Sequence, residues 1–245
     1  MECHCHPGSS PDGVSMAAQI ATEQPSFNSA WDAFCKHFLT VVGIWAITIV
    51  LGLIGFCLIM LITIFVTSLT SVSGVDPNEA TLTAVSLLAQ VAQIPFALLS
   101  SLVGVLFMAV PALYYETGEV ITVGNAFSVL FKNPWRYLIA GLFFSVVSTI
   151  GFGFCVLPGI AIALTMPIYV NRVFLTDMGI GDSFANSFQA MYRSPAGRSF
   201  LIAELLTWLL VGLVSICTCG LGALIAMPMA NFYLQNLAYH HGVVS

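Results

Sequence analysis

Residues 39–66 read LTVVGIWAITIVLGLIGFCLIMLITIFV, an apolar run with no charged side chain. A hydrocarbon core about 30 Å thick is crossed by roughly 20 apolar residues of helix, so the run reaches across a bilayer with tilt. Hydrophobic residues make up 58% of the 245 and charged ones 7%, with a mean hydropathy of +0.96. Soluble domains carry about a quarter charged residues, so the chain reads as one polytopic membrane domain without a separate soluble core. Six cations and a net charge of −5 leave no nucleic-acid footprint.

Outward from this run, further apolar segments follow at Leu82 to Tyr115, Tyr137 to Phe154, Gly159 to Leu175, Ser199 to Ile216 and Gly220 to Tyr239. The second segment contains Gln90, Gln93, Pro95 and Pro111, and Asp76-Pro77-Asn78-Glu79 before it predicts a helix start at Pro77. Cys155 to Pro158 and Cys217-Thr218-Cys219 read as tight connections. The prediction is an all-α integral membrane bundle of six transmembrane helices in residues 28–245, after a disordered tail over residues 1–27. That tail holds Pro7, Gly8, Ser9, Ser10, Pro11, Asp12 and Gly13 and lacks the cationic start and apolar core of a secretory signal.

Lys36 precedes span one, Lys132 and Arg136 span three, and Arg193 and Arg198 span five, while Arg172 is near the end of span four. All six cations fall on one side of this topology. Cytoplasmic flanks are enriched in Lys and Arg, so both termini are expected in the cytoplasm and the protein in the inner (plasma) membrane.

The spans group into three parallel hairpin repeats, about residues 28–116, 123–176 and 181–241. Gly124-Asn125-Ala126-Phe127-x3-Phe131 recurs as Gly181-Asp182-Ser183-Phe184-x3-Phe188, and Trp135-Arg136 matches Tyr192-Arg193 at the same offset. Ala30-Trp31-x3-Cys35 with Phe38 is a weaker first copy. Ser29, Asn125 and Asp182 are capping-type residues, and apolar side chains such as Trp31, Phe34, Cys35 and Phe38 recur at helical spacing. Each repeat thus opens with an amphipathic helix expected in the headgroup plane, and the alternative is a pre-span turn whose aromatics belong to the interfacial belt.

Downstream, Gly104 to Pro111, Gly159 to Pro167 and Gly220 to Pro228 place a glycine seven or eight residues before a proline in every second arm. Proline removes a backbone donor, so a bend is expected at each, with a neighbour or water meeting the freed carbonyl. Such bends line a cavity or simply shape packing. The parallel orientation excludes inverted-repeat transporters as close models. Mitochondrial carriers, also three two-span repeats, are excluded because no acid-then-base signature follows the prolines.

Phe127-x3-Phe131, Trp135, Cys155-Val156-Leu157-Pro158-Gly159, Pro167, Tyr169, Gly179-Ile180-x2-Ser183-Phe184-x2-Ser187, Cys219-Gly220 and Pro228 carry a resemblance. Over about residues 120–240 the chain resembles bacterial polytopic membrane families of unknown function related to the membrane domain of glycerophosphodiester phosphodiesterase. The resemblance implies a bundle of six or more helices and no agreed activity. The phosphodiesterase chemistry of that group resides in a separate soluble domain not expected here, so no catalytic residue carries over.

Glu204 is the only carboxylate inside a predicted span, and an intramembrane ionisable group is a functional hypothesis by default. With Gln90, Gln93, Asn171 and Asn231, and with Gln235, it is a candidate for lining a polar path. Such side chains also serve as hydrogen bonds between helices. Cys3-His4-Cys5-His6 offers soft ligands, with Cys35, His37, His240 and His241 on the same predicted side. Adjacent residues in one strand point apart and the C-x2-C spacing is missing, so no metal site is assigned. Cys155 and Cys217 or Cys219 share a predicted side and suit either a bridge or a tight turn. No nucleotide loop, nucleophile elbow or acid–base pair is present, so no enzyme and no cofactor are expected. The expected role is a scaffold or an accessory, membrane-organising subunit, in the bilayer with a membrane-protein partner or a second copy of the chain. The competing reading is a small transporter or lipid-handling protein with a polar path near Glu204.

Overall fold

The computed structural model describes residues 24–73 and 79–244, which form eleven helices and no strand. The expected Cys/His cluster, most of the expected tail and the helix start at Pro77 lie outside the described residues. In chain order the helices are α1 (Phe27–Lys36), α2 (Phe38–Ser73), α3 (Glu79–Gly104), α4 (Leu106–Thr117), α5 (Val123–Lys132) and α6 (Pro134–Phe154). They continue as α7 (Val156–Ala163), α8 (Met166–Leu175), α9 (Ile180–Arg193), α10 (Pro195–Cys217) and α11 (Ala223–His240).

Among the described residues, five stretches are long and apolar enough to cross a membrane: Phe38–Leu69, Thr83–Thr117, Pro134–Phe154, Val156–Leu175 and Pro195–Cys217. In hydrocarbon every backbone donor and acceptor must be met within the chain, which is why such runs are helical. The protein is therefore an all-helical, multi-pass membrane protein. The expected sixth span forms helix α11 but falls short of the apolarity of the other five, because Asn231, Gln235, Asn236 and His240 dilute it.

Burial explains that difference. Only 6% of the most apolar stretch of α2 is buried, against 44% for α3–α4 and 50% for α7–α8, so α2 is an outer helix and these arms reach the core. α4, α8 and α11 pack on one another, and α11 also meets α1 and α10. α3 pairs with α2 and α6 with α7. The main core includes Leu106, Val110, Tyr114, Tyr169, Val173 and Phe232, all from α4, α8 and α11. α11 exposes apolar side chains only in its first turns, at Leu224, Ile225 and Met227, and its amides are in the part the other helices bury.

The helix starts and breaks are displaced from the sequence expectations. Ser26 caps α1 in a reciprocal box with Ser29, Thr122 accepts from the Asn125 backbone N–H to cap α5, and α9 starts at Ile180 after Gly179. The expected caps Ser29, Asn125 and Asp182 are each the third helical residue, where short polar side chains also serve the first turn. The breaks precede the prolines. Val105 interrupts the second arm six residues before Pro111, and Leu164–Thr165 interrupts the next just before Pro167, which thereby occupies the first turn of α8, where no N–H is needed. Pro228 is inside the continuous helix α11. Cys155 alone joins α6 to α7, and Gly220, at φ 90°, turns the chain before α11. Cys155, Cys217 and Cys219 are free and exposed.

The three short helices share a burial pattern. Ala30, Ala126 and Ser183 are buried, as are Phe34, Leu130 and Ser187 four residues on, while Trp31, Phe131 and Phe188 are exposed. The face packed on the bundle is thus mostly of small residues, and Trp31, Cys35 and Phe38, expected on the same stripe as Phe34, are exposed. The corner between α9 and α10 is the tightest backbone approach: a Cβ on Gly197 would lie 2.1 Å from the Ala190 carbonyl oxygen and 2.4 Å from that of Met191. Neither oxygen can swing away without moving backbone. Gly197→Ala is expected to cost about 2–4 kcal/mol, read as a melting-temperature drop in detergent. Gly104→Ala, whose Cβ would meet nothing within 4 Å, is expected to leave the melting temperature unchanged or slightly higher; similar drops in both variants would contradict the tight corner.

Candidate functional site

Pro111 has no N–H to give the Phe107 carbonyl four residues back. Asn231 of α11 supplies the missing donor, its Nδ2 donating to the Phe107 oxygen at 3.2 Å. One turn further along α11, Gln235 Nε2 donates to the Pro167 carbonyl of α8 at 2.9 Å, and its Oε1 accepts from Asn171 Nδ2 at 3.1 Å. One more turn on, the Tyr239 hydroxyl accepts from Asn171 at 3.3 Å and donates to the Glu116 carboxylate of α4 at 2.8 Å. Asn231, Gln235 and Tyr239, spaced by four, thus form a polar seam that ties the three inner arms together. Of the two readings open for Gln235, path residue or hydrogen bond between helices, the structure shows the second, while Tyr239 was not singled out in the sequence.

The end of the bundle near Tyr239 is closed by a second lock. His37, at the joint of α1 and α2, is fully buried; its Nδ1 donates to the Ala33 carbonyl at 2.8 Å and its Nε2 accepts from the Ile121 backbone N–H at 3.0 Å. These partners fix the neutral tautomer, since one is an obligate acceptor and the other an obligate donor. Thr40 donates to the Ile121 carbonyl at 2.8 Å, so both backbone groups of Ile121 are held. Tyr114 and Phe232 flank the imidazole, at ring-centroid distances of 4.7 and 5.0 Å. Desolvation, helped by the Lys36 ammonium, holds the His37 pKa below its ordinary 6.5 against the opposing bond to Ala33. His37 is therefore a structural clamp, and among the described residues no three His, Cys, Asp or Glu side chains form a metal-binding group.

Glu204 stands apart from the seam. It is fully buried on α10, and neither carboxylate oxygen has a hydrogen bond among the described residues. Trp208, one turn on, interacts with it, without the geometry of a hydrogen bond. Phe200 and Met191 belong to the apolar cluster at this end of α10. Tyr192 donates its hydroxyl to the Ala161 carbonyl at 2.8 Å; burial first and the neighbouring Glu204 second push that phenol up to about 12, so it remains a donor. The Ala161 oxygen is free to accept because the Thr165 N–H turns to Ile162 at the α7–α8 break.

Of the residues considered for one polar path, Asn171 and Asn231 join the seam. Gln90 and Gln93 are exposed on α3, and Gln90 reaches only Ser86, at 3.4 Å. The chain therefore distributes these groups over three places. Pro111, Pro167 and Pro228 are all buried in the inner arms. Arg136, at the start of α6, donates through Nη2 to the carbonyls of Thr176 and Met178, tying α6 to the loop after α8.

The fold and this core define a multi-pass helical membrane protein whose inner helices are joined by buried side-chain amides. Comparison with known proteins adds no relative: no family model, no curated protein and no solved structure matches the chain.

Because the folded pKa of His37 is lowered, the unfolded chain takes up the proton first. Its contribution to stability is complete above pH 6.5 and is lost as pH falls below that value toward the folded pKa. Melting in detergent is expected to show this fall between pH 6.5 and lower values. His37→Gln is expected to flatten it and to cost about 1–3 kcal/mol at pH 8; an unchanged pH profile would remove the clamp assignment.

Proposed function

We propose that the chain is a six-span inner-membrane protein of three parallel hairpins, each opened by an amphipathic helix in the headgroup plane. Both termini face the cytoplasm, and the protein acts through packing, as a scaffold or accessory, membrane-organising subunit. The observation that carries the role is α2, whose apolar length is almost wholly outside the packed core, with Phe56, Leu61, Ile64 and Phe65 exposed. α2 pairs with α3 along one side only, and the apolar surface it leaves exposed is stable only where lipid or another helix covers it.

The topology draws support from contacts at one end of the bundle. Bonds from His37 to Ile121, Arg136 to Thr176 and Tyr239 to Glu116 bring together the starts of α2 and α6 and the ends of α4, α8 and α11. The cations Lys36, Arg136 and Arg172 lie at or near those same termini, in keeping with a cytoplasmic face. Outward Trp31, Phe131 and Phe188 beside inward Ala30, Ala126 and Ser183 suit helices with aromatics in the headgroups. The resemblance to the membrane families named above agrees with this reading.

A second reading, a small transporter or lipid-handling protein, is favoured by Glu204, because an unpaired carboxylate is costly to bury and is kept where it acts. Reconstituted vesicles discriminate the two. Movement of a fluorescent phospholipid between leaflets, faster than in empty vesicles and lowered at least about tenfold by Glu204→Gln, would establish the second reading. No acceleration, together with a photo-crosslinker at Leu61 that yields one identified membrane protein or a second copy of the chain, would support the first. Crosslinks to lipid alone would overturn it. An impermeant maleimide is expected to label Cys155, Cys217 and Cys219 on intact cells lacking an outer membrane barrier, and Cys35 only after the membrane is opened; the reverse would invert the topology.

A further inference from the structure

We propose that the gap between the inner arms is a binding site for a single apolar chain that ends in a hydroxyl group, with Asn231 as the residue that receives the hydroxyl. The gap is a cavity of about 360 Å³ whose lining includes Trp45, Gly104, Met108, Met166, Trp208 and Met227, with Asn231 on its wall. That volume is within the roughly 300–1,000 Å³ of small-molecule sites. Ser101, Gly104, Val105 and Met108, around the joint of α3 and α4, form one side of it.

The lining selects an apolar chain. Met108, Met166 and Met227 come from α4, α8 and α11, one from each inner arm, and methionine side chains adapt to an irregular guest. Ser101 and Met227 on the rim are exposed, so the cavity opens on the outer surface of the bundle, where a chain can enter laterally. Ordered water there would need several polar partners, and the wall offers few.

Two polar groups of the lining lack a partner among the described residues: Trp45 Nε1, a buried donor, and Asn231 Oδ1. Asn231 is 6% exposed, and its Nδ2 is committed to the Phe107 carbonyl. That bond fixes the amide orientation, because an oxygen in that place would face another acceptor. No hydrogen bond reaches Asn231 Oδ1 among the described residues, and Asn231 is one of the residues that line the cavity. An amide oxygen only accepts. A hydroxyl supplies the donor that Asn231 Oδ1 lacks and can also accept from the Trp45 indole N–H, whereas an ester, ether or carboxylate oxygen only accepts and leaves Asn231 Oδ1 unmet. The ligand class is therefore a long-chain alcohol, and the assignment rests on neither functional reading above.

The four tryptophans allow a direct test. In a Trp31→Phe/Trp135→Phe background only Trp45 and Trp208 remain, both on the cavity wall. Titration of the detergent-solubilised protein with bromoundecanol is expected to quench their fluorescence saturably, and its methyl ether to bind at least about tenfold more weakly. Gly104→Leu places a side chain where nothing lies within 4 Å of its Cβ, and is expected to abolish the saturable phase while gel filtration and helical content stay unchanged. Linear quenching that Gly104→Leu does not alter would overturn the site. Equal affinity for alcohol and ether, a comparison that needs no variant in the cavity, would overturn the role of Asn231.

Discussion

The bond from Asn231 to the carbonyl of Phe107 answers a constraint that governs the whole bundle. In hydrocarbon an unmet carbonyl has no water to turn to, so a proline in an inner arm obliges some other helix to bring a donor. α11 does so, and its next two turns bring further donors, Gln235 to the Pro167 carbonyl and Tyr239 to the Glu116 carboxylate. Interhelical hydrogen bonds of this kind are individually worth only about 0.6–2 kcal/mol in membranes. Their weight here lies in direction. A seam of residues spaced by four admits one rotation of α11 against α4 and α8, which apolar packing alone would leave less defined.

Much of this was legible in the sequence, for a simple reason: apolar runs must be helical in a bilayer, and five of the expected spans return with ends shifted by a few residues. Hydropathy was blind to the inside, however. It ranks helices by how well they suit lipid, and the polar residues that lower the rank of α11, Asn231, Gln235 and Asn236, are on its buried part. The caps were misplaced by three residues each time, since a short polar residue serves equally as cap or as third helical residue. The breaks were expected at the prolines and fall before them, because a ring that removes an N–H is least costly in a first turn, as at Pro167.

The candidate chemistry was less legible still. Residue type flagged Glu204, Gln90, Gln93, Asn171 and Asn231 together, but partnership depends on helix rotation, which composition does not encode. Two of the five tie helices, two face outward and one carboxylate is isolated in an apolar cluster. His37 shows the same limit from the other side. A histidine near a cysteine suggests ligation, yet its ring nitrogens are both spent on backbone groups of the chain.

The order of the helices along the chain adds a temporal side to the seam. Phe107 and Asn231 are separated by 124 residues, so the carbonyl enters the membrane long before its donor has been made. At about 5–20 residues per second of synthesis, the first hairpin waits roughly 6 to 25 s with that group open. During this interval the Phe107 carbonyl is accessible from the bilayer, and whatever lipid headgroup or water defect meets it must be displaced when α11 arrives. The bundle is thus closed from the inside by its final element, like an arch whose keystone is set last.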